Sequence, residues 1–306
     1  MNHTFGPVPS RRLGRSLGVD LVPFKTCTFD CIYCQLGKTT NKSMDRREFF
    51  PVKDIIQDVQ QRLQKIPRPD YITLSGSGEP TLYSRIEEVI AGIKDITDVP
   101  VGLLTNGSLF WIDEVREAVK EADLIIPSLD AGDKEIFSFV NRPHPEITFE
   151  KTVEGLCNLR ESFLKPIWLE VFLIGGVTDI REELRKINTW VTRIAPDRIQ
   201  LNTAVRTPAE GFVNTVSKEK MEEISSFFGP TCEVIADYSK VHSLGEFQHR
   251  QEDVLDLLRR RPCSVDDISN GLNMHRNEAV KYVQELADKK LIRKETRESK
   301  LLYFAK

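Results

Sequence analysis

No apolar run in this 306-residue chain approaches the roughly 20 residues that a membrane-spanning helix needs. The longest, such as Trp168 to Ile174, are the length of a strand. The opening residues Met1-Asn2-His3-Thr4-Phe5-Gly6-Pro7 lack the apolar centre of a signal peptide, so the expected location is cytoplasmic, with no membrane partner. An excess of one charge is lacking too. Lys and Arg number 43 against 46 Asp and Glu, and a net −3 does not draw the whole chain toward nucleic acid or membrane. Cysteine is too sparse for a disulfide scaffold: there are six, and three of them crowd between Cys27 and Cys34. A tight triplet in a long chain reads as metal binding. Cys157, Cys232 and Cys263 are scattered without ligand-like spacing, so no second cluster is expected from them.

Internal repeats of sequence are also missing; what recurs is a pattern, a short apolar strand followed by an amphipathic helix. Strands are expected at 17–23, 71–75, 101–105, 124–129, 167–174 and 198–201, with a seventh at 232–236. Helices are expected near 53–65, 83–95, 111–121, 149–163, 180–194 and 218–228. Ile55, Ile56, Val59 and Leu63 have the one-sided spacing of a helix that covers a sheet. Such alternation argues for an α/β fold with parallel strands and right-handed crossovers. The expected architecture is a full or partial (βα)6-type TIM-like barrel, with a doubly wound open sheet as its competitor.

The character changes after about Gly245. A helix at 251–260, a second opened by a capping box at Ser264-Val265-Asp266-Asp267, and a third from about His275 precede two strands at 291–294 and 301–304. Three helices and a two-stranded wing make a winged helix-turn-helix. The domains are therefore expected to be 1–245, a barrel, and 246–306, a small C-terminal winged-helix domain.

Cys27-Thr28-Phe29-Asp30-Cys31-Ile32-Tyr33-Cys34 is a Cys-x3-Cys-x2-Cys loop directly after the first expected strand. Four thiolates are normal for a [4Fe–4S] cube, so three on one loop leave one iron without a protein ligand, open to a catalytic one. Zinc completed by a distant histidine, or three incidental cysteines, are the competing readings; with only five histidines, none near the loop, zinc is the weaker. Ser75-Gly76-Ser77-Gly78-Glu79-Pro80 closes the second strand, where small residues let the backbone approach a ligand and Glu79 offers a carboxylate to an ammonium.

The cysteine spacing, with Tyr33 just ahead of the last cysteine, resembles the signature of the radical S-adenosylmethionine (SAM) superfamily. The stretch from Phe5-Gly6-Pro7-Val8-Pro9-Ser10 to Gly18-Val19-Asp20 is similar to a bacterial and archaeal branch distantly related to the wyosine-base synthases that modify tRNA. The resemblance covers residues 5–235. It implies two cofactors, a [4Fe–4S] cluster on Cys27, Cys31 and Cys34, and SAM. Gly78-Glu79 takes the place of the family's Gly-Gly-Glu motif, with Ser77 replacing the first glycine, and Glu79 then meets the SAM amino group. Asn106, Ser128 and Asp130 match positions that face the ribose and methionine portions. Gly175 resembles the glycine motif under adenine, Tyr33 helps to seat that ring, and Asn202 is a further candidate. One of Arg11, Arg12, Arg15, Arg142 and Arg206 would hold the SAM carboxylate, and the others a phosphate or carboxylate of the substrate; Arg11, Arg12, Arg142 and Arg206 are the substrate candidates.

The implied activity is reductive cleavage of SAM to methionine and a 5′-deoxyadenosyl radical, which takes hydrogen from an RNA or tRNA base, a protein or a small molecule. An external electron donor, flavodoxin- or ferredoxin-like, is then needed. The tail from 250 to 306 carries thirteen Lys and Arg against ten Asp and Glu, a modest +3. His275, Arg276, Asn277 and Lys281 suit a helix that touches nucleic acid, whereas Glu278, Glu285 and Asp288 on the same helix oppose it. Nucleic-acid contact, protein docking and a structural role are all open. The rival to an enzyme is an iron–sulfur-sensing transcriptional regulator whose winged helix binds DNA; it has no need of Gly78-Glu79.

Overall fold

A computed structural model of the chain describes residues 3–10, 12–206, 208–236, 251–255, 257–259, 262–272, 274, 276–297 and 300–306. Arg11, His275 and the expected domain boundary at 246 lie outside the described residues.

Seven strands run parallel in chain order. They are β2 (Gly14–Val19), β5 (Tyr71–Leu74), β6 (Val101–Thr105), β7 (Leu124–Pro127), β8 (Trp168–Leu173), β9 (Arg198–Thr203) and β10 (Cys232–Val234). The ladder is regular from β2 to β7 and again from β8 to β10. Parallel bridges at Ile125–Ile167 and Ser128–Glu170 join the two sets. A doubly wound sheet reverses its strand order at a switch point. No reversal occurs among these strands, so the open-sheet competitor falls. Among the described residues no pairing closes β10 onto the first strands, and the barrel is partial.

Helices α1 (Val52–Leu63), α2 (Ile86–Ile96), α3 (Asp113–Ala118), α5 (Phe149–Ser162), α6 (Arg181–Ile194) and α7 (Lys218–Phe228) return the chain between strands. Their apolar faces (Ile55 and Val59 on α1; Val89, Ile90 and Ile93 on α2) bury fully against Leu17, Ile72 and Leu103 of the sheet. No helix among the described residues is long and apolar enough to cross a membrane.

Besides a short strand pair at the cysteine loop, two elements were not expected. The first is β1 (Thr4–Ser10), which pairs antiparallel with β2 as an edge strand and shifts register between Phe5 and Val8. Its hairpin turn precedes β2 and so lies at the N-terminal end of the parallel strands. There Leu13 packs on Leu124 and Ile126 and plugs the barrel. The Phe5 ring covers Gly18 so closely that a Cβ there would sit 2.1 Å from it. The second is α4 (Lys134–Asn141), capped by the Asp133 side chain. A short pair, β3 (Thr26–Cys27) and β4 (Asn41–Lys42), frames the cysteine loop.

At the C-terminus, helical residues at 251–255 and 257–259 precede α8 (Val265–Gly271), α9 (Arg276–Asp288) and the hairpin β11 (Ile292–Arg297) with β12 (Lys300–Ala305). Ser264 and Asp267 form a reciprocal capping box ahead of α8. The unit has its own core, in which Val254, Leu258, Ile268, Tyr282 and Leu286 meet. Helix α9 faces the barrel: Lys281 Nζ donates to the Pro208 carbonyl at 3.0 Å, and Arg276 pairs with Asp20 at 3.6 Å.

Candidate active site

The cysteine loop leaves β3 at the C-terminal end of the strands, where barrel sites form. Its backbone is tied down on three sides. Glu79 N–H donates to the Thr26 carbonyl and Ser43 N–H to the Cys27 carbonyl, both at 3.0 Å. The last carbonyls of a helix lack partners within it. Those of α4 find them here, with Asp30 N–H reaching the Asn141 carbonyl at 3.0 Å and Ile32 N–H the Val140 carbonyl at 2.9 Å. The close approach at Thr26 explains Gly78, because a Cβ there would stand 1.9 Å from the Thr26 oxygen.

Cys27, Cys31 and Cys34 line one cavity of about 480 Å³. Gly78, Glu79, Asn106, Ser128, Asn202 and Tyr33 line it too, as do Arg12 and Arg206. Burial, then the Glu79 carboxylate, pushes the Cys27 thiol up to about 12; burial, then Asp130, pushes that of Cys31 up as well. Bare thiolates at Cys27 and Cys31 are therefore disfavoured, and a bound metal would supply the positive charge that stabilises them. Among the described residues no group of three or more His, Cys, Asp or Glu is placed to hold a metal ion. The Oδ1 of Asn141, beside Cys31, is buried with no hydrogen-bond partner. Three thiols of one loop on one cavity wall fit a cluster.

Glu79 is buried and its carboxylate is held by four donors. Thr81 N–H at 3.0 Å and the Thr81 and Thr105 hydroxyls at 2.6 Å reach Oε1, and Asn106 N–H reaches Oε2 at 2.8 Å. Burial pushes its pKa up and these bonds oppose the rise. Oε2, with one donor, keeps acceptor capacity to spare. Tyr33 stacks on Phe172 with centroids 3.9 Å apart, and its hydroxyl donates to Asp130.

The remaining expected residues are held by other partners. Asp130 is not on the cavity wall: it accepts from Tyr33 and from Asn141 Nδ2 at 2.8 Å, and burial raises its pKa to about 6. Gly175 is also off the wall, its N–H bonded to the Asn214 carbonyl at 2.9 Å. Asn106 lies on the wall, but its amide points to Thr28 Oγ1 at 2.7 Å and to Cys27 Sγ at 3.5 Å. Arg142 is away from the cavity and pairs with Glu210 at 2.6 Å. Arg206 bonds Gln35 at 2.6 Å. Arg12 was a candidate for the SAM carboxylate or the substrate. It enters the cavity from the hairpin below and pairs with Glu170.

Glu170 was missed, as were Lys25 and Asn141. Its signal was legible, a carboxylate in the middle of the apolar strand Trp168 to Leu173. Burial opposes its ionisation, but Arg12 and the Asn202 amide at 2.9 Å outweigh burial and hold its pKa below the usual range.

The model of the radical SAM superfamily matches residues 21–187, more than half of the chain and the whole of the cysteine loop. The chain belongs to the radical SAM superfamily. This family's cofactors are a [4Fe–4S] cluster and SAM. Among curated relatives, a protein of Brachyspira hyodysenteriae named GTPase Obg is 39% identical over 95% of this chain, which spans only 43% of that protein's length. A UPF0026 protein of Methanocaldococcus jannaschii is 33% identical over 89% of this chain and 87% of its own. The radical SAM fold is shared with a radical SAM methyltransferase from Sphaerobacter thermophilus at TM-score 0.54, with 16% identity over 72% of this chain and 66% of that one. Streptococcus suis SuiB bound to SAM matches at TM-score 0.51, with 13% identity over 72% and 47%.

Proposed function

We propose that this radical SAM protein is an enzyme that cleaves SAM reductively and takes hydrogen from a substrate at the mouth of the barrel. One observation carries the reading: three thiols of a single loop share a cavity wall with Glu79, Ser128 and Asn202. Cys27, Cys31 and Cys34 would hold the cluster. When bound, cluster and SAM supply one electron and a scissile carbon–sulfur bond, giving methionine and a 5′-deoxyadenosyl radical. The chain's own part is to bind, orient and exclude water. Glu79 would accept from the SAM ammonium, and Ser128 and Asn202 would offer polar contacts further along the wall. Tyr33, braced by Phe172 and by Asp130, presents a ring face for adenine. Asp130 thus acts on Tyr33 from behind the wall. Arg12, tied to Glu170, and Arg206 are the arginines placed to meet a carboxylate or phosphate.

The C-terminal unit, with its helices and hairpin, is read as a winged helix. In a DNA-binding regulator α9 would lie free to enter a groove. Here Arg276 and Lys281 turn to the barrel, and Asn277 lines the cavity. The enzyme is therefore preferred, with RNA, protein or a small molecule as substrate and an external one-electron donor. The test is direct. Anaerobically reconstituted, dithionite-reduced protein converts SAM to 5′-deoxyadenosine and methionine, and Cys31→Ala abolishes the conversion. Absence of cleavage, together with DNA binding that follows cluster oxidation, would overturn the reading in favour of a regulator.

A further inference from the structure

We propose that Lys25, Asn106 and Asn141 are positioning residues that raise the reduction potential of the cluster, each supplying one side-chain N–H donor to a different cysteine sulfur. The inference rests on the cluster reading above. Asn106 Nδ2 lies 3.5 Å from Cys27 Sγ, Asn141 Nδ2 lies 3.5 Å from Cys31 Sγ, and Lys25 Nζ lies 3.5 Å from Cys34 Sγ. The donors come from three separate places in the chain, the turn before β3, the end of β6 and the end of α4, yet each sulfur receives one.

Each donor is also anchored elsewhere, so its direction is set. Asn106 Nδ2 donates to Thr28 Oγ1 at 2.7 Å, while its Oδ1 accepts from Ser108 N–H at 3.0 Å. Asn141 Nδ2 shares its protons with Asp130 at 2.8 Å. Lys25 Nζ donates to the Gly37 carbonyl as well as to the sulfur. Lys25 is the telling case. Its φ of 60° lies in the left-handed region that favours glycine, and its backbone is held there by Ser77 O at 2.7 Å and Asn41 N–H at 3.0 Å. A lysine in such a position, 2% exposed, brings an ammonium to Cys34 that a glycine would not.

One-electron reduction adds negative charge to the irons and sulfurs. An N–H dipole or an ammonium aimed at a sulfur favours the reduced state over the oxidised one, and hydrogen bonds to sulfur are among the levers that set such potentials. Burial leaves this effect unscreened. The full charge on Lys25 gives the largest contribution and the two amides smaller ones. A weaker reductant can then load the cluster.

The experiment is a potentiometric titration of the anaerobically reconstituted full-length chain without SAM, with the reduced cluster followed by electron paramagnetic resonance. Dithionite supplies the single electron, and no bond forms or breaks. Lys25→Met lowers the potential, moving the reduction equilibrium about tenfold, which is 59 mV for one electron. Lys25→Gln keeps a donor without the charge and falls between Lys25→Met and the parent. Asn106→Ala and Asn141→Ala shift it the same way by less. Lys38→Met removes an exposed charge and leaves the potential in place. If Lys25→Met does not retain its iron, Lys25→Gln carries the test. Either variant, with full iron and sulfide content, titrating at or above the parent potential overturns the inference alone. A parent chain that assembles no [4Fe–4S] cluster overturns the functional reading, and this inference with it.

Discussion

The Glu79 carboxylate is buried at 2% exposure beside thiols that also become anionic, a costly placement that its four donors make tolerable. Glu79→Gln keeps an oxygen for Thr81 and Thr105 but turns an amide toward Asn106 N–H and the SAM ammonium. Charge-assisted bonds contribute about 1.5–3 kcal/mol, so SAM affinity should fall about 10- to 100-fold. Isothermal calorimetry on the reconstituted chain reads this directly, with iron content unchanged. Residue types at this scale were legible only in part. Three cysteines at fixed spacing and a glutamate after glycine declare their chemistry. Asp130 has the right type and the right strand end, yet its side chain points behind the wall to Tyr33 and Asn141. Lys25 and Asn141 carry no motif, and only folding brings them to sulfur.

Elements show the same division. The parallel strands and their helices follow from period and length, and they lie where alternation places them. β1 did not read as a strand, because Pro7 and Pro9 each lack a backbone donor; an edge strand, which needs hydrogen bonds on one side only, tolerates them. α4 is eight residues long, too short for a clear period, yet its end carbonyls fix the cysteine loop. Two substitutions test these supports. Gly78→Ala drives a methyl into the Thr26 carbonyl, 1.9 Å away, and should cost about 1–3 kcal/mol of stability while lowering iron content. Urea unfolding of the cluster-free chain and an iron assay measure both. Leu13→Ala empties the plug beneath the cavity, where Leu13 is 3% exposed, at about 2–5 kcal/mol by the same unfolding measurement.

At the scale of the whole molecule, the C-terminal unit meets the barrel through buried charge. Lys281 is 3% exposed; burial lowers its pKa to about 8, against the opposing pull of Glu285 and Cys34. Between about 8 and the ordinary value of 10.5 the unfolded or undocked form binds more protons, so docked stability rises with pH across that window and is lost as pH falls through about 8. Thermal melts of the cluster-free chain should therefore show the parent gaining on Lys281→Met from pH 8 to 10, and a constant gap would contradict this. The sequence alone determined the class of chemistry and the α/β alternation, because ligand spacing and hydrophobic period are local properties of a chain. Tertiary structure decided that no pairing among the described residues closes the barrel, that Arg12 enters from below and that α9 turns inward. These depend on which distant surfaces bury one another, and that free energy is written in no single segment.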